Sequence, residues 1–326
     1  MTTEHEAIAF GPAPSGREID VVFCTDGRYA RHLGVALFSL LVNNAAKGVA
    51  VWIICDELDG DHLTRLQNLA DTFSTSIRIF RARDQRIAGL GSVGHITAAS
   101  YYRLLIPRLL PEDRERVLYL DSDLIVDGPL DALWSIDLDG HAMGACLDPV
   151  VGFLRTGRAG AVEGAGYFNS VVMLLDLECW RQTGIAERAL DHAKNVAGKL
   201  RYADQDALNA VVRGEFLPLE ARWNFFAFSR LRPDIAQSVN QVQATCEVPT
   251  VVHFAGSVKP WHPWCDQLLK GLYERYRKIS PWRDPEPVEP PPALRECLWA
   301  AEVAAAEGRT ADLGAYLRLA SRMGAG

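Results

Sequence analysis

Two carboxylates one residue apart, Asp121 and Asp123, follow the apolar run Val117-Leu118-Tyr119-Leu120. Residues i and i+2 of an extended strand project to one side, so a strand continuing through the pair would aim both carboxylates at one point. Two hard oxygen donors suit Mg²⁺ or Mn²⁺, and a diphosphate would supply further oxygens. The spacing by itself also describes a solvated strand end. A second group lies in Val251-Val252-His253-Phe254-Ala255-Gly256, with Lys259 three residues on. A lone histidine on an apolar strand reads first as a satisfied core side chain. Gly256, however, permits close backbone approach to an anion, and Lys259 carries a point charge suited to phosphate. Two carboxylates with one imidazole favour Mn²⁺, with Mg²⁺ second, because imidazole is a poor Mg²⁺ ligand.

Such groups need a frame. Ile19–Thr25 is an apolar, β-branched run ending in the turn signal Asp26-Gly27, and Tyr29–Val42 carries apolar residues at helical spacing. Val49–Cys55 predicts a second strand, Asp61–Phe73 an amphipathic helix, Ile77–Phe80 a third strand, Ala98–Leu109 a helix and Arg116–Leu120 a fourth strand. The β-α-β-α-β order predicts a parallel sheet with helices on both faces, where ligands sit outside the carboxyl ends of strands. That rule points to Asp26, Asp56 and Asp121-Ser122-Asp123. Val150–Gly166 holds five glycines without a period and reads as a mobile loop. Phe168–Leu177 is a further strand, Glu178–Val196 and Asp204–Val212 are helical, and Thr250–Phe254 is a last short strand.

The chain has 326 residues, 34 Lys and Arg against 41 Asp and Glu, and a net charge of −7. An acidic chain of this kind lacks the basic footprint of a nucleic-acid coat. The best apolar stretch, Val35–Val42 with Ser39 inside it, is far short of the ~18–20 residues of a membrane span, and the opening residues lack the form of a secretory signal. The seven cysteines are scattered without a CxxC pair, which predicts free thiols in a reducing cytoplasm.

Six ordered segments resemble the family 8 retaining glycosyltransferases, the group that includes glycogenin and bacterial lipooligosaccharide galactosyl- and glucosyltransferases. They are VVFCTDGRYA at 21–30, HITAASYYRL at 95–104, VLYLDSDLIV at 117–126, YFNSVVMLLDL at 167–177, DQDALN at 204–209 and HFAGSVKPWH at 253–262. The resemblance runs from about Ile19 to Trp264. It implies an α/β fold: one Rossmann-like, GT-A-type nucleotide-sugar domain with a mixed, mainly parallel sheet, followed by a C-terminal helical extension. It implies transfer of glucose or galactose from a UDP-sugar to a glycan, a lipid-linked saccharide or another hydroxyl acceptor. Asp121, Asp123 and His253 match the metal ligands, and Gly256 and Lys259 the phosphate contacts. Asp26 and Tyr29 match the uracil contacts, and Ser122 lies within the metal motif on the donor side. Arg103, Asp148 and Asn169 match positions near the donor sugar, and His95 one in the acceptor cleft. Asp204 and Gln205 match the pair beside the anomeric carbon. Gln205 is a poor nucleophile, so retention is expected through same-face attack, with Asp204 as the alternative nucleophile. Arg28 and Val171 depart from the pattern, Val171 standing where glycine is usual. The alternatives are a catalytically degenerate UDP-sugar or glycan-binding homologue and, less in keeping with CTDGRYA, a sugar-nucleotide pyrophosphorylase.

These readings divide the chain into a flexible start at 1–17, a catalytic domain at 18–280, a proline-rich linker at 281–292 and a helical extension at 293–326. The extension predicts two helices broken near Gly308, for packing or for assembly with a second copy. Lys270–Arg283 alternates bases with Tyr273, Tyr276 and Trp282. It is the stretch that would rest on the inner face of a membrane, or else form a solvated helix face.

Overall fold

The computed structural model describes residues 6–90, 96–156, 166–196, 198–228, 233–285, 291 and 293–324. Eleven strands form among them: β1 Glu6–Phe10, β2 Ile19–Thr25, β3 Val49–Cys55, β4 Ser76–Arg81, β5 Arg116–Leu120, β6 Leu124–Val126, β7 Met143–Leu147, β8 Phe168–Asp176, β9 Leu217–Pro218, β10 Phe225–Phe226 and β11 Val251–His253. Eight make one sheet in the order β1-β4-β3-β2-β5-β8-β7-β9. All run the same way except β1 and β8, so the sheet is mixed and mainly parallel.

Every residue of β2 and β3 is buried, as expected of strands covered on both faces. Alternation divides their side chains between two cores. Val21 and Phe23 pack with the helices Ala30–Asn44 and Gly60–Phe73. Val22 and Cys24 pack on the opposite side with Tyr101, Leu105, Ala189 and Leu208. The strand order reverses about β2, which has β3 on one side and β5 on the other. A crevice opens at such a reversal, outside the carboxyl ends of the strands.

Several expectations change. The main strand does not continue through Asp121-Ser122-Asp123. It stops at Leu120, and β6 belongs to a second sheet of order β10-β11-β6. The acidic pair is therefore the corner between two sheets. Residues 6–10 of the expected flexible start form the edge strand β1, with Ile8 and Phe10 packed on the core at strand alternation. The first residues of the expected loop belong to a helix, Pro149–Thr156, and 157–165 lie outside the described residues. Ala98–Leu105 is a 3₁₀ helix followed by one α-turn, Ile106–Leu109, with Pro107 near its start. The long helix expected at 178–196 breaks at Gly184 into Leu177–Thr183 and Ile185–Asn195.

The linker begins as an anchor rather than a spacer. Trp282 is 1% exposed, and a Cβ placed on Gly34 would meet its indole at 2.2 Å. Arg65 donates to Asp284 Oδ2 at 2.7 Å and Arg31 to the Asp284 carbonyl at 2.7 Å. The helix Lys270–Ile279 is likewise a packing element. Tyr273 and Tyr276 are buried, Lys270 pairs with Glu307, Arg275 with Asp127 and Arg277 with Glu274. Its aromatic residues thus face the protein, which removes the anchor on which a membrane-resting surface depended. No described helix is long and apolar enough to cross a membrane.

Candidate active site

A cleft of about 420 Å³ lies at the carboxyl ends of β2 and β5. Of the residues singled out in the sequence, Asp26, Tyr29, Arg103, Asp121, Ser122, Asp123, Asp148, Asn169, Asp204, Gln205, His253, Gly256 and Lys259 all line it. His95 lies outside the described residues.

Sheet pairing brings His253 to the acidic corner. β11 runs antiparallel to β6 with His253 opposite Leu124, and Phe254 N–H donates to the Asp123 carbonyl at 3.0 Å. His253 Nε2 stands 3.9 Å from Asp123 Oδ2. Burial lowers the imidazole's pKa to about 4, so the ring is neutral. Its Nδ1 lies 3.1 Å from Asn224 Oδ1. Asn224 Nδ2 donates to Asn169 Oδ1 at 2.8 Å, which leaves Asn224 Oδ1 as the acceptor. The imidazole proton therefore sits on Nδ1, and Nε2 presents a lone pair toward Asp123. A metal-binding histidine needs this tautomer, set by its second nitrogen's partner.

The carboxylates are held by cations. Arg103 is 3% exposed and donates through Nη2 to Asp121 Oδ1 and Oδ2 at 3.0 and 3.2 Å. Its Nε stands 3.1 Å from Asp204 Oδ2, and its guanidinium lies over the Tyr119 ring. Tyr119 also donates to Asp121 Oδ1. Lys259, 4% exposed, donates to Asp123 Oδ2 at 2.5 Å and to the Phe254 carbonyl at 2.8 Å. Burial raises the pKa of Asp121 to about 6 despite Arg103. Burial also raises that of Asp123, but Lys259 and His253 outweigh it and hold the group down at about 2. Asp204 is raised by burial.

Three carboxylates, Asp121, Asp123 and Asp204, thus meet two cations, Arg103 and Lys259. One negative charge remains unmatched, and Asp123 Oδ1 is buried without a hydrogen-bond partner. An unpaired buried oxygen on a carboxylate whose other oxygen stands 3.9 Å from a neutral imidazole nitrogen is a fitting start of a donor set for a divalent cation. Among the described residues no three acidic, histidine or cysteine side chains form a closed coordination group as they stand. The geometry gives the reason: Asp121 is turned to Arg103 and Tyr119, so its oxygens would have to exchange partners.

A second network forms the other wall. Asp148 Oδ1 accepts from the N–H groups of Val150 and Val151, both at 2.9 Å. Its Oδ2 accepts from Asn169 Nδ2 and Gln205 Nε2, at 2.9 and 3.0 Å. Gln205 Oε1 accepts from Asn169 Nδ2 and Ser170 N–H, at 3.0 and 3.1 Å. With Asn224 these bonds run from Asp148 and Gln205 through Asn169 to His253, fixing all three amide orientations. Asn224 is 2% exposed and was not singled out in the sequence. Its only signal there is a lone amide between aromatic residues, Trp223-Asn224-Phe225. At the mouth, Asp26 Oδ1 accepts from the Arg28 and Tyr29 N–H groups, at 3.0 and 3.1 Å. Asp26 is therefore the local turn former as well as a cleft residue, and Arg28 points largely into solvent. Ser122 Oγ donates to the Cys24 carbonyl at 3.4 Å. Gly256 has φ +89°, a backbone region that favours glycine.

The sequence profile of glycosyl transferase family 8 matches residues 20–265. The chain belongs to glycosyltransferase family 8. It is 30% identical over 269 residues to general stress protein A of Bacillus subtilis (strain 168), a match covering 80% of this chain and 94% of that protein. It is 28% identical over 274 residues to the lipopolysaccharide 1,2-glucosyltransferase of Escherichia coli (strain K12), covering 82% and 80% of the two chains. Its structure resembles that of the galactosyltransferase LgtC solved with donor and acceptor sugar analogues, with 25% identity, a TM-score of 0.68 and coverage of 80% and 96%. The described lining of this glycosyltransferase's cleft lies wholly within the family span, and the helices Leu294–Ala306 and Thr310–Met323 follow after it.

Proposed function

We propose that this family 8 enzyme transfers glucose or galactose, with retention, from a UDP-sugar to a hydroxyl of a glycan or lipid-linked saccharide. The observation that carries the reading is the acidic corner: Asp123 with one oxygen orphaned and the other 3.9 Å from Nε2 of a neutral His253, and Lys259 alongside. Asp121, Asp123 and His253 would hold the metal, Mn²⁺ in preference to Mg²⁺. A bound divalent ion would act as a Lewis acid for the departing diphosphate.

The chain's own groups do the rest. Lys259 is held as a cation: burial opposes its charge, but Asp123 outweighs burial and raises its pKa. It can pass from Asp123 to a phosphate oxygen and there stabilise developing charge. Gly256 leaves its backbone open to the same phosphates. Gln205, immobilised between Asp148 and Asn169, cannot easily become a nucleophile. Its amide is bonded at both ends, so it serves as fixed framework beside the expected place of the anomeric carbon. Asp204 is tied to Arg103 and Ser170, which supports attack by the acceptor hydroxyl from the leaving-group side, with the leaving phosphate oxygen taking the proton.

The test is a panel of UDP-sugars with Mn²⁺, with and without chelator, followed by acceptor screening. Turnover of UDP-glucose or UDP-galactose that chelation abolishes and Asp123→Ala reduces by at least ~10²-fold is the expected result. Chelator-resistant turnover would refute the metal assignment. A glycosyl-enzyme trapped on Asp204 by mass spectrometry would refute same-face attack.

A further inference from the structure

The loop 256–265, which carries Gly256 and Lys259, is held from two sides. On one side the Trp261 ring stacks on His32 at 3.4 Å, from the helix Ala30–Asn44. On the other side stands the C-terminal hairpin of the helices Leu294–Ala306 and Thr310–Met323. Val258, Trp264 and Cys265 of the loop form a small core with Ala300, Ala304 and Tyr316 of the hairpin. Three successive carbonyls of the loop are each fixed by a side chain. Arg309 Nη2 donates to Pro263 O at 3.0 Å, Trp299 Nε1 to Trp264 O at 3.1 Å, and Lys270 Nζ to Cys265 O at 2.7 Å. Lys270 is itself held by Glu307 of the hairpin at 2.9 Å.

The contacts continue to the lysine. The Tyr316 ring meets the Trp264 ring edge-on at 6.3 Å, and Trp264 stacks on His262 at 4.8 Å. His262 Nδ1 accepts from Lys259 N–H at 3.1 Å, and His262 N–H donates to the Lys259 carbonyl at 2.9 Å. Burial keeps His262 neutral, so its Nδ1 remains an acceptor. The hairpin lies beyond the family span, yet it sets the backbone from which Lys259 projects.

We infer that the C-terminal hairpin is a positioning element for the donor: Trp299, Arg309 and Tyr316 hold the loop 256–265 so that Lys259 meets the diphosphate of a nucleoside-diphosphate sugar. This rests on the proposed assignment of Lys259 to the donor phosphates. The residues act through the loop and touch no reacting atom, so their removal weakens donor binding and reaches the chemical step only by way of Lys259.

The experiment compares full-length Trp299→Phe, Arg309→Met and Lys259→Ala with the unaltered chain. It measures steady-state UDP-sugar turnover, UDP affinity by calorimetry in Mn²⁺, and thermal melting. Each hairpin variant is expected to raise donor KM and UDP Kd roughly three- to tenfold, the scale of one lost hydrogen bond, with kcat falling no further than in Lys259→Ala. Simple destabilisation would instead lower the melting temperature and kcat and leave donor KM and UDP Kd unchanged. Unchanged donor KM and UDP Kd in both hairpin variants, while Lys259→Ala weakens UDP, overturns the inference and leaves the donor assignment standing. Unchanged UDP affinity in Lys259→Ala overturns the assignment and the inference with it.

Discussion

At the scale of single residues, the site is governed by which atoms are satisfied and which are not. Asp148 is saturated by four donors and Gln205 is engaged at both ends, so both act as fixed framework. Asp123 has one oxygen on Lys259 and one with no partner. Asn224 matters because it decides which nitrogen of His253 keeps the proton. Asn224→Ala is expected to weaken Mn²⁺ binding ~10- to 100-fold by calorimetry, as does loss of an outer partner of a ligating histidine. His253→Ala should weaken it at least as much. An Asn224→Ala protein that binds Mn²⁺ as well as the unaltered chain would return Asn224 to a packing role.

At the scale of elements, two contacts tie distant segments. Asp20 on β2 accepts from Trp52 Nε1 on β3 at 2.7 Å, and burial raises its pKa to about 6. The folded chain therefore holds a proton here that the unfolded chain, with an ordinary value of 3.8, has released. This group's contribution to stability falls as pH climbs from about 4 to about 6 and is level above. Asp20→Asn keeps an acceptor without the charge. Relative to the unaltered chain it should gain roughly 2 kcal/mol in denaturant melts between pH 4 and pH 7. A pH-independent difference counts against the assignment. Trp282 fastens the segment after the helix Lys270–Ile279 onto Gly34. Trp282→Ala removes a fully buried indole and should cost about 3–5 kcal/mol in the same melts. A loss below 1 kcal/mol would mean that the segment is not anchored there.

At the scale of the whole molecule, two cations now stand where the proposed metal and diphosphate would bring opposite charges. Arg103 and Lys259 neutralise Asp121 and Asp123 in part, so Mn²⁺ alone must displace them. With UDP present, Lys259 acquires a phosphate partner and leaves Asp123 to the metal. Mn²⁺ and UDP should therefore bind with positive coupling of about 1–3 kcal/mol, equal whichever is added first. Titration of each ligand with and without the other measures it. Independent binding would show that Lys259 does not exchange partners. Together the two ligands should raise the melting temperature, because both bind only the folded cleft.

What the sequence by itself determined was local. Continuous apolar, β-branched runs marked β2 to β5 and the strand at 168–176, a period of 3.6 residues marked their helices, and turn chemistry marked Asp26. The short segments around Asp121, Asp123, His253 and Lys259 carried their residue types at readable spacing. Five residues at the start, alternating in character, also form a strand, but β1 exists only because β4 offers an open edge to it. The rest depended on pairing between segments far apart in the chain. Whether Asp121 and Asp123 lay on one strand or at a corner was decided by β6 joining β11 instead of the main sheet. That same pairing carried His253 across 130 residues to the corner. Asn224 lies in a stretch with no period, and its role is visible only through the amide chain to Asn169. The basic, aromatic helix at 270–279 reads alike as a membrane face or a packed one. Tertiary structure chose packing, because burying Tyr273, Tyr276 and the nearby Trp282 removes more apolar surface from water than leaving them on the exterior. Chemistry-bearing residue types are written in single segments, whereas the partners that set their tautomers, charges and positions are fixed by long-range contacts.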